Sequence, residues 1–92
     1  MNNQKFWKNK KVLITGVNGF VGCNLAKELT ELGAEVTGLI RNKNKKTLLF
    51  VEKINKNINL IDGEIENKKI LKRILVEQNI SVCFHLAAQV EV

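Results

Sequence analysis

Two apolar periods alternate along the chain. Val12-Leu13-Ile14 is a short unbroken run that stops at Thr15-Gly16, the mark of a strand buried on both faces. From Phe20 the spacing turns helical, through Leu25, Leu29 and Leu32, and Gly33 supplies a stop. This pattern predicts a strand over residues 11–15 and a helix over 20–32. Val36, Leu39 and Ile40 predict a second strand over 35–40, followed by a polar loop, Arg41-Asn42-Lys43-Asn44-Lys45-Lys46. Leu48, Leu49 and Val51, with Thr47 as N-cap, predict a short helix over 47–54. A third strand over 58–61 follows. A helix over 68–78 carries Ile70, Leu71, Ile74 and Leu75 on one face, and a fourth strand over 81–86 completes the series.

Strands that alternate with helices at this spacing imply βαβ units and a parallel sheet. Right-handed crossovers then give the strand order 3-2-1-4. The expected class is α/β, as the first half of a doubly wound parallel sheet of the Rossmann type, in one domain over residues 1–92. In such a sheet the ligand crevice lies at the carboxyl ends of the strands, where the order reverses beside strand one.

The residues at that edge are Thr15-Gly16-Val17-Asn18-Gly19-Phe20-Val21-Gly22. Gly16 permits a sharp exit from the strand, Gly19 lets backbone approach a ligand, and Gly22 lets the helix pack closely on the sheet. Asn18 suits the turn. A glycine turn between a buried strand and an amphipathic helix aims backbone N–H groups and the positive end of a helix at one point, the place for a pyrophosphate. A P-loop is excluded, because no Gly-Lys-Ser/Thr follows at the required spacing. The end of strand two selects between dinucleotides. An acid there grips the ribose diol of NAD, whereas an arginine accommodates the 2′-phosphate of NADP. Arg41 stands at that end, so NADP is favoured over NAD, with Lys43 able to assist.

Composition narrows the remaining classes. An apolar fraction of 45% in 92 residues fits a small globular domain and argues against disorder. No apolar run approaches the ~20 residues that cross a bilayer. The first residues lack an apolar signal core, so no membrane association and a cytoplasmic location are expected. The net charge of +6 comes almost wholly from lysine, and no aromatic residues are interleaved to stack on bases. Nucleic acid is therefore not the expected partner. Cys23 and Cys83 are expected to be small buried thiols, and neither a disulfide framework nor a metal site is implied. His85, the one histidine, is expected to be packed and hydrogen-bonded near a strand end rather than catalytic. Phe6 and Trp7 are expected to pack the N-terminal segment on the sheet.

Three motifs together carry a family resemblance. Thr15-Gly16-x-x-Gly19-Phe20-x-Gly22 resembles the cofactor motif of the extended short-chain dehydrogenase/reductases. Gly63-Glu64-Ile65 is similar to that family's Gly-Asp-Ile/Leu segment after strand three, and His85-Leu86-Ala87-Ala88-Gln89 to its His-Leu-Ala-Ala segment after strand four. Phe6-Trp7, close ahead of strand one, and the ending Ala87-Ala88-Gln89 are similar to the sugar-nucleotide 4,6-dehydratases in particular, with the CDP-glucose and GDP-mannose types the nearest likenesses. The resemblance implies that Glu64 and Ile65 border the adenine of NAD(P). It also implies that Leu86, Ala87, Ala88 and Gln89 pass along the cofactor toward the nicotinamide.

The departures matter as well. Glu64 stands where the family pattern has Asp, and the chain has no tyrosine, whereas the resemblance implies a Tyr-x-x-x-Lys pair beyond strand four. The expected role is thus dinucleotide binding, as the N-terminal portion of a dehydratase acting on a sugar nucleotide, with these residues inactive alone. Epimerases and reductases of the same family share these motifs, and a stand-alone NAD(P)-binding module remains a further reading. Strand four is expected to expose an unpaired edge, suited to pairing with another strand or to homo-oligomer formation.

Overall fold

The computed structural model describes residues 4–17, 20–40, 54–63 and 67–86, and for Gln4, Ile54 and Asn55 the backbone only. A short helix α1 (Gln4–Trp7) leads into β1 (Lys11–Thr15), α2 (Phe20–Glu31) and β2 (Glu35–Ile40). A single 3-10 turn (Ile54–Asn57) precedes β3 (Asn59–Asp62), then come a second long helix, α3 (Lys68–Glu77), and β4 (Val82–His85). The four strands form one sheet in the order β3-β2-β1-β4, and every neighbouring pair is parallel. The α/β class and the strand order both match the sequence-based expectation.

Strand β1 is central, and Val12, Leu13, Ile14 and Thr15 are all fully buried. Side chains alternate across a strand, so β1 feeds two cores. Val12 and Ile14 join Cys23, Ala26 and Leu29 of α2, with Val36, Ile40, Leu60 and Phe84, on one face. Leu13 joins Leu39 of β2 and Ile70, Leu71 and Ile74 of α3 on the other.

Both long helices end in the same way. After α2, Gly33 takes φ 95°, its N–H donates to the Thr30 carbonyl (3.0 Å), and Ala34 N–H donates to the Leu29 carbonyl (3.0 Å). After α3, Asn79 takes φ 53°, its N–H donates to the Val76 carbonyl (3.2 Å), and Ile80 N–H donates to the Leu75 carbonyl (3.1 Å). These paired bonds around a left-handed residue are the Schellman arrangement. They release the chain into β2 and β4. At its other end α3 starts on Asn67, whose side chain accepts from the N–H groups of Lys69 and Ile70.

Boundaries shift slightly from the sequence-based ones. Helix α2 ends at Glu31, α3 at Glu77, and β3 starts and finishes one residue later. Strand β4 is shorter at both ends, although Ser81 N–H and Leu86 N–H still donate to the Lys11 and Thr15 carbonyls of β1 (2.8 and 3.2 Å). Of the helix expected over 47–54, residues 47–53 lie outside the described residues.

Four expectations about burial are corrected. Phe20 does not face the core, because the inner stripe of α2 is made of small residues, Gly22, Cys23 and Ala26, ahead of Leu29. Leu75 turns outward from α3, leaving Ile74 as its one buried residue. Cys83 shares the α3 face with its register partner Leu13, but β4 lies at the sheet edge and leaves Cys83 exposed there. Trp7 packs against the α2-side core and lies 6.2 Å from the Phe84 ring. Phe6 instead stays 57% exposed, edge-on to Trp7 and beneath the Lys10 ammonium.

Candidate functional site

All four strands run parallel, so their last residues, Thr15, Ile40, Asp62 and His85, share one edge of the sheet. The connections from β1 and from β3 leave toward opposite sides of β1, which places the order reversal between β1 and β4. The β1–α2 turn starts at this point.

Gly16 exits β1 with φ 73°, a backbone state that glycine adopts without steric cost. Its N–H donates to the Leu39 carbonyl (3.1 Å) and is therefore committed to the sheet. A Cβ on Gly22 would stand 2.4 Å from the Gly16 carbonyl oxygen and 3.0 Å from Val17 Cα. Both are backbone atoms that cannot rotate aside. The first turn of α2 thus rests directly on the strand exit, and only glycine permits the approach.

The N–H groups of the first helical residues, Phe20, Val21 and Gly22, have no acceptor within the helix. No acidic side chain sits in that first turn, so the positive end of α2 is not neutralised by a carboxylate of its own. Phe20 and Val21 are 77% and 65% exposed, and they border the helix start with apolar surface. The arrangement suits an anion that brings an apolar or aromatic group with it.

The β4 side of the crevice is pinned to β1. Thr15 and His85 are register partners, and Thr15 Oγ1 is hydrogen-bonded to His85 Nδ1 at 3.1 Å. His85 is hydrogen-bonded as expected, but it is exposed rather than packed. Leu86 donates its N–H to the Thr15 carbonyl (3.2 Å) and packs its side chain on the α2-side core.

Of the residues singled out from the sequence, Gly16, Phe20, Val21, Gly22 and Leu86 are thereby brought to one edge. Asn18, Gly19, Arg41, Glu64, Ile65, Ala87, Ala88 and Gln89 lie outside the described residues. Sequence reasoning passed over two residues of the site. Val17, inside the turn, is fully buried. Gly38, in mid-strand β2, leaves the space that Val17 fills: a Cβ there would lie 2.6 Å from Val17 Cγ1. An isolated glycine inside a strand is itself a sign of close approach, and that signal was available. Away from this edge, partial enclosure against the sheet pushes the Cys83 thiol above its ordinary value. Among the described residues no cluster of acidic, histidine and cysteine side chains could hold a metal, and no helix is long and apolar enough to cross a membrane.

A parallel sheet in this order, with a glycine turn leading from its central strand into a closely packed helix, defines the chain as a Rossmann-type α/β protein. The model of the GDP-mannose 4,6 dehydratase family matches residues 13–92, and the chain belongs to that family. A CDP-glucose 4,6-dehydratase of Salmonella typhimurium is 33% identical over 90 residues, which are 97% of this chain and 25% of the relative. The chain thus spans about a quarter of the length of that curated relative. Among solved structures, an epimerase of Methanothermobacter thermautotrophicus superposes with a TM-score of 0.76 at 32% identity, covering 97% of this chain and 26% of that one. The Bordetella bronchiseptica enzyme WbmH, solved in complex with NAD+, shares the fold at a TM-score of 0.71 and 23% identity, over 90% of this chain and 27% of its own.

Proposed function

We propose that these residues bind a nicotinamide adenine dinucleotide, as the N-terminal cofactor-binding part of a sugar-nucleotide 4,6-dehydratase. The observation that carries this reading is the bare contact of Gly22 on Gly16 at the sheet's order reversal. It presents unused helix N–H groups where a pyrophosphate would sit. The bound cofactor would supply hydride exchange with the sugar. The chain's own residues bind and orient it. Gly16, Asn18, Gly19 and Gly22 form the cradle for the diphosphate, and Phe20 and Val21 border it. Arg41 meets the 2′-phosphate of NADP, Glu64 and Ile65 flank the adenine, and Leu86, Ala87, Ala88 and Gln89 line the way to the nicotinamide.

With no tyrosine among the 92 residues, the phenolate that the family resemblance implies is not supplied by them. The family match, and the dehydratase and epimerase among the relatives, support a sugar nucleotide as the substrate of the whole enzyme. The outer edge of β4, which no described strand covers, is where a further strand or a second copy would add to the sheet.

Calorimetric titration of the full chain with NADP+ and NAD+ tests the reading. Micromolar binding of at least one dinucleotide is expected. Arg41→Ala should weaken NADP+ by about tenfold, the loss of one charge-assisted phosphate contact, and leave NAD+ within about twofold. No binding of either dinucleotide overturns the cofactor role, and equal losses overturn the 2′-phosphate role of Arg41.

A further inference from the structure

Val17 is held between two glycines. Beneath it, on the sheet, a Cβ at Gly38 would come within 2.6 Å of Val17 Cγ1 and 3.1 Å of Val17 Cβ. Above it, a Cβ at Gly22 would come within 3.0 Å of Val17 Cα. The valine is fully buried in the same core as Val12, Ile14 and Cys23. Gly38 pairs in register with Ile14 of β1 on one side and with Leu60 of β3 on the other. Its own position is therefore set by the two neighbouring strands. Ile58 Cδ1, at 3.3 Å from the same Cβ position, closes the space from the β3 side.

We infer that Gly38 is a positioning residue for dinucleotide binding. Its bare backbone is the socket that seats Val17, and Val17 in turn sets the height of the β1–α2 turn and the start of α2 above the sheet. The chain of contacts is short. Rotating Val17 about χ1 could move Cγ1 off an added methyl at residue 38. It could not move Val17 Cβ, which is fixed to the backbone, and a β-branched side chain has few rotamers to use. The backbone of Val17 must therefore rise. Directly above it is Gly22, where even an added Cβ would crowd Val17 Cα. The displacement passes into the first turn of α2, whose N–H groups are the donors for the diphosphate. The inference rests on the dinucleotide reading given above.

The test is a double-mutant cycle on the full chain, with NADP+ and NAD+ as titrants at a temperature where every variant is folded. Gly38→Ala should weaken the better-bound dinucleotide by about tenfold or more, since ~1.4 kcal/mol of misplacement gives that factor. Val17→Ala, which removes the peg without intruding, should fold and weaken it by at least about threefold. Gly38→Ala combined with Val17→Ala loses the 2.6 Å contact with Cγ1 and keeps only the 3.1 Å contact with Cβ, so it should recover part of the affinity lost in Gly38→Ala alone. Leu29→Ala lowers stability in the same core, away from the turn, and should leave affinity within about twofold. Wild-type affinity in Gly38→Ala overturns the inference while the dinucleotide reading stands. Should Gly38→Ala not fold, wild-type affinity in Val17→Ala overturns it equally. Additive losses in the double variant, or a loss in Leu29→Ala matching that in Gly38→Ala, also overturn it. If the wild-type chain binds neither titrant, the dinucleotide reading fails and the inference falls with it.

Discussion

The two faces of the sheet are built by different means. On the α2 face, small residues do the packing. Gly22, Cys23 and Ala26 let the helix lie close against β1, and Val17 closes the gap beside them. On the α3 face only Ile74 of the helix is buried, Leu75 and Val76 look outward, and Cys83 and His85 of β4 are exposed. Helix α3 is also secured at its ends, by Asn67 before it and Asn79 after it. A face packed through backbone contact tolerates no added atoms. A face packed through side-chain tips can yield. The candidate ligand site lies on the first kind, which is where small displacements matter most.

A matched pair of glycine substitutions would break this contrast most directly. Gly22→Ala places a methyl against backbone on the α2 face and should cost about 3 kcal/mol or more, beyond ordinary overpacking. On the α3 side, a Cβ at Gly63 meets only side-chain carbons of Leu39 and Ile70, at 3.3 to 3.5 Å, and Gly63→Ala should stay within about 1 kcal/mol. Urea unfolding of both variants measures the difference, and equal costs would erase the distinction between the faces.

The cap of α3 contributes a smaller effect. Asn67→Ala removes the acceptor for two N–H groups at the start of α3 and should cost about 1 kcal/mol. Asn67→Asp, which keeps the acceptor, should retain most of that, as chemical denaturation would show. Smallest in energy is a test by thiol labelling. Cys83 should react with iodoacetamide in the native protein and Cys23 only after unfolding. The thiolate is the nucleophile, and partial burial raises the Cys83 thiol above its ordinary value. Its labelling should therefore be slow at neutral pH and keep climbing, by about tenfold per pH unit, beyond about pH 8.5, where an ordinary thiol levels off. A rate that levels off below pH 8 would contradict an enclosed thiol.

Much of this architecture was legible in the residues alone. Val12-Leu13-Ile14 announced a strand buried on both sides, and the alternation of periods led to a parallel sheet with β1 at its centre. The glycine turn was legible because Gly16 and Gly22 answer to local backbone demands that do not depend on distant residues. What escaped depended on partners far along the chain. The role of Gly38 needs Val17, which lies on another strand's exit. The exposure of Phe20, Leu75 and Cys83 follows from which faces happen to be covered, and an apolar count cannot report that. Large side chains drew attention to the wrong stripe of α2, since close helix–sheet contact selects small ones. The end of α3 was legible to within one residue, although Asn79 rather than a glycine takes the left-handed conformation after it.

The hydrogen bond from Gly16 to Leu39 has one more consequence. It carries the ladder one step beyond the end of β1, so the bend begins while still tied to its neighbour strand. A hinge that starts inside a lattice of this kind cannot swing as a loose loop does. On the proposed reading, a diphosphate would approach a strand exit already set in place at Gly16.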